Sequence, residues 1–267
     1  MNDDPEPIEN ISGGDEGGGI ADSFDPGGAE TRAEEVVDRL GELYWQKTYG
    51  GQDAFTCLVR TVLSQNTSDV ASQPAHDDLM KRYAGDDLAE ALADAEHAQL
   101  AETIRSAGLY NQKADVLTEA GEHVLAEYGS TEAFDRFVTE GDSNDVRQAL
   151  LDMNGVGPKT ADCVLLFSGG QAGVFPVDTH VHRIYRRLGI APADADHEDV
   201  RGVLERAVPA TKCGFGHTAS IQFGREYCSA RKPACLDGPE ACPMSDVCDQ
   251  VGVDVESSEV VDPADAD

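Results

Sequence analysis

The stretch that decides the fold is residues 150–161, with the sequence Leu-Leu-Asp-Met-Asn-Gly-Val-Gly-Pro-Lys-Thr-Ala. A helical pattern ends just before Gly155, and Pro158 suits the first position of a new helix, where its missing N–H costs nothing. Gly155 and Gly157 can both adopt a positive φ and let a ligand approach the backbone. The N–H groups at the start of the new helix would then bind an anion such as a phosphate. The pattern predicts a helix-hairpin-helix, with an ordinary tight helix turn as the alternative.

The chain on both sides of this hairpin is helical almost throughout. Apolar residues recur at helical spacing, connections are short, and no strand alternation extends beyond residues 172–177. Thr31 and Glu34 predict a capping box for the first helix, which has an apolar stripe of Val36, Val37, Leu40, Leu43 and Tyr44. The other predicted helices are 53–64, 68–83, 88–92, 97–107, 111–128, 131–138, 144–151, 158–168, 178–188, 197–207 and 216–227. We therefore expect an all-α fold.

Length and composition limit the class of protein. A chain of 267 residues with 40% hydrophobic residues has enough apolar material for one or two packed domains. No run reaches about 18 apolar residues, so we expect no membrane span. The first 30 residues have no Lys, no Arg and no apolar core of a secretory signal, so we expect a cytoplasmic protein. The seven cysteines are then reduced thiols, suited to metal binding or catalysis more than to disulfides.

The net charge is −31, from 51 acidic and 20 basic residues, and taken alone it favours a protein that binds no nucleic acid. Much of this charge lies in two acidic segments, 1–30 and 249–267, which we interpret as disordered tails. Abundant Asp with little Lys is typical of a halophile, where molar salt screens charge over about 3 Å. Local charge is positive in residues 147–187 and 201–232, which predicts a basic surface near the hairpin.

Two ionisable residues next to the hairpin suggest chemistry. Lys159 follows Pro158 at the helix start, where the helix dipole disfavours its protonated form. Asp178, in the sequence Val177-Asp178-Thr179-His180, is placed to cap the next helix, where the dipole favours a carboxylate. Each residue alone is usually structural. Together beside a phosphate-binding hairpin, they suggest a nucleophile and a charge stabiliser acting on a nucleic-acid backbone.

Four of the seven cysteines lie within 21 residues: Cys228, Cys235, Cys242 and Cys248. Their spacing, C-x6-C-x6-C-x5-C, lacks the close pairs that structural zinc favours and suits a loop around a [4Fe–4S] cluster. Zinc, disulfides and unrelated buried thiols are the alternatives. The remaining Cys57, Cys163 and Cys213 lie on or near apolar helix faces, where we expect core residues.

The hairpin Gly-Val-Gly-Pro-Lys-Thr-Ala, the Val-Asp-Thr-His segment and the four-cysteine loop, in this order, resemble the endonuclease III family of DNA glycosylases with abasic-site lyase activity. The resemblance covers roughly residues 36–248. It departs from the family in the gap between the second and third cysteines, which is usually two residues and is six here. It implies a [4Fe–4S] cluster on Cys228, Cys235, Cys242 and Cys248, with Lys159 as nucleophile and Asp178 as catalytic aspartate.

The resemblance also implies DNA contacts. Gln65 or Asn66 would fill the gap left by a flipped base, and the hairpin would hold a phosphate. Basic loop residues would touch the backbone. The predicted contacts are Gln65, Asn66, Gly155, Val156, Gly157, His180, Arg183, Arg231 and Lys232.

The implied fold has two all-α lobes, a six-helix barrel over 50–168 and a cluster-bearing lobe made of 31–49 and 169–250, with tails at 1–30 and 251–267. The implied function is base excision repair: removal of damaged, by default oxidised, pyrimidines from double-stranded DNA and cleavage at the abasic site by a monomer. Three alternatives stay open. They are a mismatch or alkylated-base glycosylase on the same scaffold, a non-catalytic DNA-binding module, and a zinc-stabilised helical protein.

Overall fold

The structure, a computed structural model, describes residues 28–44, 52–67, 69–83, 85 and 87–266. Apart from its last three residues, the predicted N-terminal tail lies outside this range. Within the described residues the fold is almost entirely helical, as expected, with one two-stranded sheet. The helices are α1 Arg32–Tyr44, α2 Ala54–Ser64, α3 Asp69–Tyr83, α4 Leu88–Ala93, α5 His97–Thr103, α6 Tyr110–Glu127, α7 Thr131–Glu140, α8 Ser143–Leu151, α9 Pro158–Phe167, α10 Thr179–Arg187, α11 His197–Ala207 and α12 Cys213–Glu226. No helix in these ranges combines the length and apolar character of a membrane span.

The chain divides into two compact units. The first, whose described part lies within Thr48–Gln171, contains α2 to α9 and the hairpin. Residues 54–63 of α2 are all buried, and α2 packs against α9, in which residues 160–167 are also buried. Phe55 and Phe134 add an edge-to-face contact between α2 and α7 at 6.4 Å. The core of this unit therefore sits directly beneath the helix that starts at the hairpin.

The second unit joins the described part of Ile20–Lys47 to Ala172–Asp267. In it α1 packs on α12, which also packs on α10, the helix that follows Asp178. Lys212 bridges two buried carboxylates of α1, donating to Glu34 at 2.8 Å and pairing with Asp38 at 2.6 Å. This basic residue was expected to contribute to a surface, but its side chain fixes the first helix to the rest of the unit.

Capping residues and apolar spacing located most helices within a few residues. In the first helix, however, two details of the prediction differ from the structure. Thr31 Oγ1 accepts from the Glu34 amide at 3.0 Å, but the Glu34 carboxylate accepts from the Glu30 amide, so the capping box is incomplete. Val36, Val37 and Leu40 are buried as predicted. The prediction for Leu43 was wrong, since it is 43% exposed at the end of the stripe.

The prediction that 251–267 is a disordered acidic tail differs from the structure. Val253–Asp254 pairs antiparallel with Glu259–Val260, and Pro263 is buried beyond the hairpin. Acidic residues in this segment have specific partners that composition does not reveal. Asp262 accepts a hydrogen bond from the buried guanidinium of Arg186 at 2.5 Å. We call residues 249–266 the C-terminal strap, since the amides of Asp249 and Val251 bond the carbonyls of Leu188 and Arg187 at the end of α10.

Candidate functional site

The predicted hairpin joins α8 to α9, and only one of its two glycines needs a positive φ. Gly155 has φ +75°, and a Cβ there would lie 2.6 Å from Val116 of α6, so both conformation and space require glycine. Gly157 is extended, with φ −92° and open space beside its Cα. Of the two glycines that can adopt a positive φ, only Gly155 uses this freedom, and Gly157 is the N-cap of α9.

The hairpin presents backbone amides at the start of α9. Pro158 occupies the first turn, as predicted, and no side chain of the described residues caps this helix. The Val156 amide is already used by the Met153 carbonyl at 3.2 Å, and the Val156 side chain is buried. An anion would therefore meet the Gly155 and Gly157 amides, together with the positive end of the α9 dipole. Lys159 is half-buried in this same first turn.

A buried ion pair ties the two helices of the hairpin together. Arg147 of α8 donates to Asp162 of α9 at 2.7 Å, and the Asp162 side chain is 1% exposed. Arg147 is one of the residues that make the local charge positive, but its guanidinium is paired with Asp162 inside the hairpin and adds little to a basic surface. Because both groups are desolvated, the intact pair adds little net stability, whereas removal of one partner leaves an uncompensated buried charge.

We expect Asp162→Asn to lower the free energy of unfolding by about 3–5 kcal/mol, since the Arg147 charge would remain buried without its carboxylate. The double variant Arg147→Met/Asp162→Leu should recover much of this loss. Urea unfolding followed by circular dichroism measures both. Equal losses in the single and double variants would contradict the ion-pair explanation.

The loop after α2 meets the hairpin through one side chain. Gln65 Nε2 donates to the Gly155 carbonyl and to Thr160 Oγ1, both at 3.1 Å. Asn66, the next residue, is exposed and left-handed, with φ +54°. Of the two residues predicted to fill a base gap, Gln65 is thus engaged with the hairpin, and Asn66 is presented outward.

Leu109 is a candidate contact that sequence reasoning missed. Its side chain is 53% exposed, and its backbone is left-handed with φ +47°, which is unusual for leucine. It directly precedes α6 and follows Gly108. An apolar residue in a short polar link was the available signal, but single exposed leucines are too common for that signal to be specific.

Asp178 is the N-cap of α10, as predicted. Its Oδ1 accepts from the amides of His180 and Val181, both at 2.8 Å, and the residue is half-buried. His180 packs on α12, where a Cβ at Gly224 would come within 2.5 Å of its Nδ1. Burial lowers the pKa of His180, with the nearby Arg183 acting in the same direction. The Asp178 carboxylate acts against this shift, since a nearby negative charge favours the protonated imidazole.

The arginines of α10 face inward. Arg183, half-buried, donates to the Cys228 carbonyl at 2.8 Å, and its guanidinium lies 3.1 Å from His180 Nδ1. Arg187 is 3% exposed and donates to the carbonyls of Ser229 and Ala230, both at 2.7 Å. The arginines of α10 therefore contribute little to the basic surface inferred from local charge, because their guanidinium groups are bonded to backbone carbonyls. Arg231 and Lys232 are exposed, as predicted contacts would be.

The four clustered cysteines line one cavity in the second unit. Cys228, Cys235, Cys242 and Cys248 surround a small space that is partly open to solvent and walled mostly by apolar side chains such as Phe223 and Met244. Burial raises the pKa of Cys248 to about 12; the Gln250 amide opposes this shift, and the nearness of the other three thiols adds to it. Two N–H groups point at the sulfurs: Gln250 N lies 3.3 Å from Cys248 and Arg187 Nη1 3.6 Å from Cys228.

The remaining cysteines are core residues, as predicted. Cys57, Cys163 and Cys213 are at most 3% exposed. Burial raises the pKa of Cys57 and of Cys213 to about 12, so these thiols are unreactive.

Comparison with known proteins agrees with the motifs. The family model described as "HhH-GPD superfamily base excision DNA repair protein" matches residues 59–210. Endonuclease III of Thermotoga maritima is 30% identical over 220 residues, which cover 82% of this chain and 92% of that protein. A solved structure of a trapped endonuclease III–DNA covalent intermediate is 25% identical with a TM-score of 0.67, covering 82% of this chain and 96% of that one. A thermostable thymine-DNA glycosylase shares the fold at 23% identity and the same TM-score over the same fractions of the two chains. The chain belongs to the HhH-GPD superfamily of base excision DNA repair proteins and, within it, to the endonuclease III family.

Proposed function

We propose that this base excision repair DNA glycosylase removes damaged, chiefly oxidised, pyrimidines from double-stranded DNA and then cleaves the strand 3′ to the abasic site. The observation that carries the proposal is the position of Lys159. It is half-buried in the first turn of α9, directly after two backbone amides available to a phosphate. A monofunctional glycosylase needs no amine there, whereas a lyase needs a nucleophile next to the backbone that it cuts.

Recognition begins with extrusion of the damaged nucleotide, which costs a few kcal/mol and less for a damaged or mispaired base. The Gly155 and Gly157 amides hold a phosphate of the damaged strand. Asn66 occupies the space that the base leaves, and Leu109 inserts against a neighbouring base step, as apolar wedges do in kinked DNA. His180 and Arg183 contribute less directly, since both are half-buried and bonded to each other. Arg231 and Lys232 meet the phosphate backbone.

The chemistry then proceeds at C1′ of the extruded nucleotide. The Lys159 amine attacks C1′ as the glycosidic bond breaks, and the base leaves with the bonding electrons and is protonated. Asp178 stabilises the positive charge that develops on the sugar, or removes a proton from the attacking amine. The C1′–O4′ bond then opens, with O4′ gaining a proton, and leaves a Schiff base between Lys159 and C1′. This Schiff base acidifies the C2′ hydrogen; loss of that proton breaks the C3′–O bond, expels the 3′ phosphate and cuts the strand. Water finally releases Lys159 and the unsaturated aldehyde.

Borohydride trapping tests this proposal. The purified chain, in high salt to suit its acidic composition, is incubated with a duplex that carries one abasic site and with borohydride. A covalent protein–DNA adduct is expected, because borohydride reduces the Schiff base. A chain that binds the duplex and forms no adduct would be a monofunctional glycosylase or a binding module. A panel of duplexes with oxidised, alkylated or mismatched bases then separates the substrate classes.

We further propose that the four cysteines hold a [4Fe–4S] cluster. The donor set fits: four thiols surround one apolar cavity, and two N–H groups point at the sulfurs, as in iron–sulfur sites. Among the described residues no three metal-binding side chains come close enough for a single ion. The cluster would hold the basic loop of Arg231 and Lys232 in place. Iron and sulfide, rather than zinc, are expected in metal analysis.

The C-terminal strap should protect this cluster. Gln250 and Val253 of the strap line the cavity, and Asp262 fastens the strap to Arg186. We expect a chain that ends at Val251, and to a smaller degree Asp262→Asn, to release iron to a chelator several-fold faster than the full chain. Asp265→Asn, a change at an exposed carboxylate of the same segment, is the control. Iron release followed by chelator absorbance makes the comparison, and equal rates would show that the strap does not shield the site.

A further inference from the structure

Lys113 of α6 is a buried ammonium with no role in the chemistry above. It is 4% exposed, and its Nζ donates to the carbonyls of Leu63 at 2.7 Å and Ala107 at 2.9 Å. Burial lowers its pKa to about 8, so holding a proton in this place is costly. A methionine would fill similar volume without that cost. The two carbonyls that it bonds therefore need an explanation.

Both carbonyls lead directly to exposed tips. Leu63, near the end of α2, lies three residues before Asn66, and Ala107 lies two residues before Leu109. Asn66 and Leu109 are two of the four non-glycine residues with positive φ among the described residues. A left-handed backbone at such residues persists only where its surroundings hold it. One ammonium thus anchors the start of both strained segments.

The same helix supports the hairpin. Val116 fills the space beside Gly155, and Glu119 accepts from Asn154 Nδ2 at 2.7 Å. Lys113, Val116 and Glu119 are spaced at i, i+3 and i+6, so they share one side of α6. Gln65 adds a direct bond from the α2 loop to the Gly155 carbonyl. The α2 loop, the link before α6 and the hairpin, all proposed to contact DNA, are therefore held in position by contacts with α6, within the first unit.

We propose that Lys113 is a positioning residue that sets the spacing between the Asn66 and Leu109 tips, and through it the grip on an extruded nucleotide. The proposal rests on the DNA-contacting roles given above to Asn66 and Leu109. Lys113 acts through its hydrogen bonds to the Leu63 and Ala107 carbonyls and does not contact DNA. Its effect should therefore appear in binding of distorted DNA and not in binding of regular duplex, which depends on phosphate contacts elsewhere.

The test compares binding of two duplexes, one unmodified and one with a tetrahydrofuran abasic analogue, by fluorescence anisotropy. In Lys113→Met we expect the preference for the abasic analogue to fall about tenfold, a change of about 1.4 kcal/mol, with affinity for the unmodified duplex retained. Lys113→Arg, which keeps charge and donors, should recover part of the preference. Lys81→Met, at an exposed lysine of α3, should behave as wild type. If the methionine variant does not fold, Lys113→Gln, which keeps an uncharged donor, is measured in its place.

A double-variant cycle separates positioning from general structural damage. If Lys113 acts through the tip, Lys113→Met should change the preference little once Leu109→Ala is present. Full additivity of the two changes, or an unchanged preference in Lys113→Met alone, would overturn the inference. A wild-type chain that shows no preference for the abasic analogue would overturn the proposed DNA contacts themselves. Borohydride trapping is independent of this readout, so failure of the lyase proposal is recognised separately.

Discussion

The Lys159→Gln variant should bind a duplex with an abasic site and form no borohydride-stable adduct. Glutamine keeps a polar side chain, one atom shorter, that cannot form a Schiff base, so trapping should be lost altogether and not merely slowed. Hairpin geometry should survive, since Gly155, Gly157 and the Arg147–Asp162 pair are untouched. Trapping resolved on a denaturing gel, beside an anisotropy titration on the same duplex, measures both halves of the expectation.

Lys81→Gln provides the matched control, because it removes one amine from an exposed position of α3. It should trap at the wild-type level. A Lys159→Gln variant that still traps would assign the Schiff base to another amine, and Lys159 would then be a phosphate contact. Loss of both trapping and binding would instead make Lys159 a binding residue, with its nucleophilic role unsupported.

Features governed by local sequence could be predicted. Pro158 can begin a helix but not continue one, and Asp178 has the side chain that an N-cap requires, so both helix starts were located from single residues. Apolar residues at helical spacing likewise predicted that Cys57 and Cys163 are core residues, and both are buried. Such signals act over a few residues and depend little on the rest of the chain.

Features that depend on distant partners could not be predicted. The sequence shows that Arg147, Arg183 and Arg187 are basic. It does not show that Arg147 donates to the Asp162 carboxylate, or that the other two donate to backbone carbonyls about 40 residues along the chain. The C-terminal strap looked disordered because its composition is acidic, and only the pairing of Asp262 with Arg186 reveals its order. Lys113 escaped notice for the same reason. Its partners are backbone carbonyls, which no side-chain pattern identifies.

Asp178→Asn isolates the charge of the predicted catalytic carboxylate from its structural role. Asp178 caps α10 by accepting from two amides at 2.8 Å, and asparagine caps helices about as well as aspartate. The melting temperature should therefore change little, while base excision slows by about 10²–10⁴-fold, the usual range for removal of a general acid or base. Single-turnover excision from a duplex with one oxidised pyrimidine measures the rate, and calorimetry measures the melting temperature.

Asp142→Asn is the matched control, since Asp142 caps α8 with the same pattern of bonds, to the amides two and three residues on. If an N-cap charge mattered only for helix stability, the two substitutions would behave alike in both measurements. We expect the excision rate to fall only in Asp178→Asn, with the melting temperature unchanged in both variants. That result would indicate that the Asp178 carboxylate stabilises the positive charge that develops on the sugar. Equal rates in the two variants would reduce Asp178 to a cap, and the charge on the sugar would then need another stabilising group.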